Sequence, residues 1–143
     1  IYPGGIKLFL EKALEATLDG KASQPDFIIG CACGSSEVVM PLAGLCGRKL
    51  GFIRRSKRRG DNDPRLIPEQ IDPLKEACTG KNVLCVEDYV CSGGSLVRVM
   101  ELVRTYGAKQ VGGASINASA PSSQVANIKM IHNLPKFQFY KLT

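Results

Sequence analysis

The sequence predicts an α/β fold, a central, mostly parallel sheet flanked by helices. Three observations carry that reading. Short apolar runs alternate along the chain with segments whose apolar residues recur at helical spacing. The runs are apolar on both faces, as strands covered by helices on both sides are. Small-residue turns follow two of the runs and lead into helical patterns, the arrangement of strand–helix crossovers. With 143 residues, 44% of them apolar, and a mean hydropathy of −0.02, the chain reads as a single globular domain over 1–143. Disorder and fibre are excluded by that composition. No apolar run approaches the roughly 18 residues that a membrane-spanning helix needs.

Taken in order, Gly5 to Leu18 carries apolar residues at Ile6, Phe9/Leu10, Ala13/Leu14 and Leu18, one face of a helix ending at Gly20. Asp26-Phe-Ile-Ile-Gly30 is the first strand, and Cys31-Ala-Cys-Gly-Ser-Ser36 a turn. Glu37 to Leu45 is helical in pattern and closes at Gly47. Leu50-Gly-Phe-Ile53 is the second strand. Residues 56–80, with Gly60, Asp61, Asn62, Asp63, Pro64, Pro68 and Pro73, read as a long irregular stretch of the kind that is usually functional or mobile. Asn82 to Val86 is the third strand, Cys91 to Gly94 a turn, and Leu96, Val99/Met100 and Val103 a helix stopped by Gly107. Val111 to Ile116 is the fourth strand, followed by a polar loop from Asn117 to Ser123. Ile128–Ile131 and Phe137–Tyr140 are two weaker strands. His132 reads as a structural or surface residue, Phe137, Phe139 and Tyr140 as core or interface, and Lys129, Lys136 and Lys141 as solvated edge charges. Tyr89 lies next to two acids, either near a ligand or in packing.

The charge is uneven. Between Arg48 and Gly60 stand seven basic residues and no acidic one, which leaves 12 basic against 13 acidic elsewhere, a net of −1. A near-neutral protein with one basic segment attracts phosphates there, on nucleic acid or on a small metabolite; a solvated loop is the plain alternative. The six cysteines, Cys31, Cys33, Cys46, Cys78, Cys85 and Cys91, form no C-x-x-C pair and read as reduced thiols of a cytoplasmic protein. A closed zinc site at Cys31 and Cys33 would need partners that one histidine does not supply. The chain opens at Ile1, not Met, and shows no leader pattern, so upstream residues are expected to have been removed.

In a parallel α/β sheet, ligands sit at the carboxyl ends of the strands, which selects loops 30–36, 54–64 and 87–95. The sharpest is Val83-Leu-Cys-Val-Glu-Asp-Tyr-Val-Cys-Ser-Gly-Gly-Ser-Leu96. Adjacent carboxylates at a strand end can accept hydrogen bonds from the vicinal hydroxyls of a ribose. Cys91-Ser-Gly-Gly-Ser95 then opens a helix with unhindered backbone N–H groups, a phosphate cradle. It is neither a Walker loop nor a dinucleotide fingerprint, since both spacings are missing.

Val86-Glu-Asp-Tyr-Val-Cys-Ser-Gly-Gly-Ser95 resembles the phosphoribosyl-pyrophosphate (PRPP) signature of type I phosphoribosyltransferases, with the acid order similar to that of orotate enzymes. The resemblance spans Asp26 to about Ile116. It implies that Glu87 and Asp88 hold the ribose hydroxyls and that Cys91, Ser92, Gly93, Gly94 and Ser95 hold the 5′-phosphate. It also implies that the backbone of Cys31, Ala32, Cys33 and Gly34 holds pyrophosphate, with Mg²⁺ carried mainly by PRPP and no direct protein metal ligand. Arg54, Arg55, Lys57 and Arg59 match the cationic loop of orotate enzymes, one spacer residue short, with Lys57 reaching the pyrophosphate. The catalytic set is then Lys57, Glu87 and Asp88. Such a loop closes over substrate and excludes water, and in related enzymes reaches a neighbouring subunit, which implies a homodimer.

The implied activity is Mg²⁺-dependent transfer of ribose 5-phosphate from PRPP to a nucleobase, orotate or another base, in nucleotide synthesis or salvage. The resemblance thins on the base side. Asn117-Ala-Ser119 stands where orotate enzymes carry Asp-Arg, Cys91 where threonine or alanine is commoner, and the hood is abbreviated or missing. Two other classes remain in view: a regulatory module that senses PRPP or a nucleotide without turnover, and an RNA binder using Arg48 to Arg59. The RNA reading predicts steep salt dependence and indifference to Glu87 and Asp88. It ranks last, because no aromatic stacking motif accompanies the basic loop.

Overall fold

Five consecutive buried residues make β1 (Phe27–Cys31) the centre of the molecule. The structure is a computed structural model and describes residues 8, 25–31, 44, 49–55, 64–65, 68–90, 93–118, 126–134 and 137–142. After β1 come β2 (Lys49–Arg55), β3 (Pro64–Arg65), helix α1 (Pro68–Cys78), β4 (Asn82–Val90), helix α2 (Gly94–Thr105), β5 (Gln110–Ala118), β6 (Ile128–Leu134) and β7 (Phe137–Leu142). They build one seven-stranded sheet in the order β3-β2-β1-β4-β5-β7-β6. The pairs β1·β2, β1·β4 and β4·β5 are parallel, while β3 and β7 run against their neighbours. The chain steps from β1 to β2 on one side, then crosses back to β4 on the other. The strand order therefore reverses between β1 and β4, and the carboxyl ends of those two strands are where such sheets place their ligand crevice.

The core lies between sheet and helices. Leu96, Val99, Met100 and Val103 of α2 are buried at helical spacing and pack with Val83, Cys85, Val111 and Tyr140 of the sheet. The close approach of α2 to β5 depends on Gly113. A Cβ there would stand 2.8 Å from the Met100 Sδ and 3.2 Å from the Leu96 Cδ2.

Two elements depart from the sequence expectation. Residues 56–80 were expected to be irregular, yet 64–65 form β3 and Pro68–Cys78 form α1. Proline content misleads here. Pro68 occupies the first helical position, where no N–H is needed, and Pro73 forgoes one backbone bond while Leu74 and Cys78, one turn apart, are buried. Secondly, β4 does not stop at Val86. Its ladder with β5 continues to Val90↔Ala118, so Asn117 belongs to a strand as well. The ladder with β1 ends at Gly30↔Val86.

Phe139 and Tyr140 are fully buried, as the core reading expected. Lys129 is exposed on the edge strand β6. Lys141 lies on β7, which has neighbours on both sides, so the edge expectation is corrected there. Of the two helices expected before β2, only Leu8 and Gly44 are described, and both are helical and exposed; the remainder, like Lys136, lies outside the described residues.

The amino ends of the strands are tied to one another by hydrogen bonds. Asp26 and Asn82 bond reciprocally, the Asp26 N–H to the Asn82 carbonyl at 2.8 Å and the Asn82 N–H to the Asp26 Oδ2 at 3.0 Å. The turns that follow α1 and α2 are also joined. The Gly80 N–H donates to the Gly107 carbonyl and the Lys109 N–H to the Lys81 carbonyl, each at 2.8 Å. The Thr79 hydroxyl lies 2.7 Å from the Lys75 carbonyl and 2.9 Å from that of Tyr106. No helix among the described residues is long and apolar enough to cross a membrane.

Candidate functional site

At the carboxyl side of the switch point, β1 is the shortest of three parallel neighbours. Its last residue, Cys31, pairs with Ile53 of β2, so Arg54 and Arg55 extend past it. On the other flank Gly30 pairs with Val86 of β4, which sets Glu87 level with Cys31 and carries Asp88 past the end of β1. Basic and acidic residues thus flank the end of β1 from opposite sides. Glu87 is buried, at 2% exposure.

Three residues beyond β4 the chain enters α2. Gly93 holds the helix start in a left-handed conformation, φ 86° and ψ −3°, which glycine adopts without the steric cost other residues meet. The Gly93 carbonyl accepts from the Val97 N–H at 2.9 Å. The helix start has no side-chain cap and its first turn no acidic residue. The positive end of the helix dipole is therefore not neutralised by a carboxylate of its own first turn, which suits an anion. Ser95 is buried in that first turn.

The structure therefore gathers Cys31, Arg54, Arg55, Glu87, Asp88, Gly93, Gly94 and Ser95 at one end of the sheet. For Arg54, Arg55 and Asp88 it gives the backbone position. The Cys31 side chain packs into the core, so any ligand contact there falls to its backbone and to the loop that follows. Ala32, Cys33, Gly34, Lys57, Arg59, Cys91 and Ser92 lie outside the described residues.

Cys78 and Cys85 are free thiols. Burial pushes the Cys78 thiol up to about 11 and raises Cys85 further, with Cys78 adding a smaller contribution. Such thiols pack and do not attack. Among the described residues no group of three or more His, Cys, Asp and Glu comes together. Sequence reasoning missed one polar feature: the Ser115 and Tyr140 hydroxyls meet at 3.4 Å in the buried face below Glu87. Nothing local in the sequence signals it, because it exists only once β5 and β7 pair antiparallel.

An α/β sheet with polar and charged residues collected at a switch point, beside a glycine-led helix start, is an arrangement that suits a phosphorylated ligand. The comparisons make the class specific. The phosphoribosyl transferase domain model matches residues 6–137, and the chain belongs to that family. Orotate phosphoribosyltransferase of Sulfolobus acidocaldarius is 31% identical over 84 residues, covering 59% of this chain and 39% of that protein. The Bradyrhizobium diazoefficiens orotate phosphoribosyltransferase is 31% identical over 112 residues, 76% of this chain and 58% of that one. The chain thus spans about two to three fifths of these relatives' length. Among solved structures, adenine phosphoribosyltransferase of Saccharomyces cerevisiae superposes with a TM-score of 0.62 at 22% identity, covering 86% of this chain and 73% of that one. That likeness shows a shared fold.

Proposed function

We propose that the protein transfers ribose 5-phosphate from PRPP to a nucleobase, releasing pyrophosphate. The observation that carries the reading is the placement of Glu87 level with the end of β1 and of Asp88 past it, shortly before a glycine start of α2 that has no side-chain cap. Carboxylates there can accept the 2′- and 3′-hydroxyls, and the first turn of α2 can receive the 5′-phosphate through its backbone N–H groups. The diphosphate would fall to the backbone that follows Cys31 and to Arg54, Arg55, Lys57 and Arg59, the roles that the family resemblance implies. At the anomeric carbon the bond to pyrophosphate breaks as the base nitrogen bonds. The transition state resembles an oxocarbenium ion, so no protein nucleophile is needed. What needs stabilising is negative charge on the departing group, the task of preorganised cations and donors.

Two adjacent carboxylates fit an oxygen-seeking divalent ion held chiefly by substrate phosphates. Mg²⁺, when bound, would neutralise charge on the leaving diphosphate. The basic loop, closing over the site, would exclude water and keep PRPP from hydrolysis. The orotate relatives favour a pyrimidine product, with another base as the variant reading. A single domain, a homodimer sharing the basic loop and a cytoplasmic setting complete the proposal.

The test is turnover: PRPP, Mg²⁺ and a panel of bases, scored by pyrophosphate release. Base-dependent release that disappears in Lys57→Ala supports the transferase. Binding of PRPP without release for any base would favour the sensing module.

A further inference from the structure

Charge stops where β5 begins. From Gln110 to Ile128, through all of β5 and the segment that follows it, the sequence has no lysine, arginine, histidine, aspartate or glutamate. Its polar side chains there are the hydroxyls of serines and the amides of asparagines and glutamines. The cations that end β2 stand on the opposite flank. The sheet order puts β1 and β4 between β2, with Arg54 and Arg55, and β5. At about 4.8 Å per strand that separation is roughly 14 Å, farther than one arginine side chain extends. The strand beside β5 brings the opposite sign, since Glu87 is in register with Ser115 and Asp88 follows it.

The same strand order says where a base has to lie. On the PRPP reading, the diphosphate falls to the flank of β1 and β2, and the sugar to the acids of β4. In an inverting displacement at an anomeric carbon, the incoming atom enters opposite the departing group. Across β4 from β1 is β5. The ladder of β5 with β4 runs on to Tyr89↔Asn117 and Val90↔Ala118, whereas its ladder with β7 ends at Ser115↔Gln138. Among the described residues, Ile116, Asn117 and Ala118 therefore have a strand partner on the β4 side alone. An unpaired strand edge presents backbone N–H and C=O groups, the kinds of donor and acceptor that match the edge of a flat heterocycle.

We propose that the acceptor base is uncharged, a lactam of the uracil or hypoxanthine kind read over the carboxyl end of β5, and that orotate is disfavoured. A base carboxylate placed there would meet neutral amides and hydroxyls, with two acids on the neighbouring strand and no cation on its own. Taking a charge out of water without a partner is costly. A lactam brings N–H and C=O groups, which amides and a strand edge satisfy. The inference rests on the PRPP reading and deepens it by naming the class of base.

The experiment is calorimetric titration of ribose 5-phosphate and of the uridine, inosine and orotidine 5′-monophosphates into wild type, Asn117→Lys and Ala118→Lys. The three nucleotides share one sugar phosphate, so differences among them report the base and need no turnover. The better of the two neutral nucleotides is expected to bind wild type at least about tenfold tighter than the orotidine nucleotide. Neighbouring strand positions cover both faces of the strand, and one of the two substitutions is expected to narrow that ratio about tenfold by supplying a cation. An orotidine nucleotide that binds wild type as tightly as the better neutral one would overturn the base class, whether or not either variant folds. A ratio that neither folded variant moves would overturn the placement over β5. A folded wild type that binds none of the four, ribose 5-phosphate included, would remove the PRPP reading itself, and the base class with it.

Discussion

The two ends of the same parallel strands are built differently. At the amino end, backbone and side-chain groups bond one another across the turns, although the buried Asn82 Oδ1 and Gln110 Oε1 have no hydrogen-bond partner among the described residues. Asp26 and Asn82 exchange two hydrogen bonds, Thr79 spans the turns after α1 and α2, and Gly80 and Lys109 close the gap between those turns. Lys75 adds a contact over the Tyr106 ring, 5.5 Å from its centre. At the carboxyl end, β2 and β4 outrun β1, α2 starts on a left-handed glycine without a side-chain cap, and the acidic residue Glu87 is buried on β4. One end spends its polar groups on holding turns together. The other arranges them where a phosphorylated ligand can use them. On the proposed reading, stability and recognition are assigned to opposite ends of one sheet, as loops on a rigid scaffold allow.

Substitutions can break or sharpen that contrast. The largest effect is expected for Leu96→Ala. Leu96 is fully buried in the first turn of α2, and the cavity should cost about 2–5 kcal/mol in denaturant unfolding. Because it loosens the helix start, PRPP affinity should fall as well. Gly93→Ala comes next. Forcing a Cβ into φ 86° should cost about 1–2 kcal/mol and weaken PRPP by shifting the first turn. Asp26→Ala removes a bond at the amino end and should cost about 0.5–1.5 kcal/mol with PRPP affinity unaltered. A comparable loss of PRPP affinity there would erase the distinction between the ends.

The smallest effect is a pH dependence. The Cys78 thiol is raised in the folded protein from 9.0 to about 11. The unfolded chain therefore ionises first and binds fewer protons above its own value. Stability is full below about pH 9 and declines as pH rises toward about 11. Urea midpoints at pH 8 and pH 10.5 should show that decline, and it should be smaller in Cys78→Ala.

What the sequence revealed follows from how local each signal is. The parallel strands were legible because Phe27–Cys31 and Val83–Val86 are apolar on both faces. The helix start at Gly93 was legible because its glycine-serine turn follows an apolar strand and two acids. Helix α1 was hidden because Pro68 and Pro73 look like breakers, while the burial of Leu74 and Cys78 that holds it is a tertiary effect. The extension of β4 through Val90 was hidden because its partner is Ala118, 28 residues away. The Ser115–Tyr140 contact depends on the register of β5 with β7, which no periodicity encodes.

The central claim is that the carboxyl end of β1 and β4 is a PRPP site that depends on the acid pair. The direct measurement is calorimetric titration of PRPP with Mg²⁺ into wild type and into Glu87→Gln/Asp88→Asn. The account predicts saturable binding by wild type and a loss of at least about a hundredfold, roughly 2.7 kcal/mol, in the double variant, with its fold retained by circular dichroism. Equal affinity in the two proteins, or no binding by folded wild type, would contradict it.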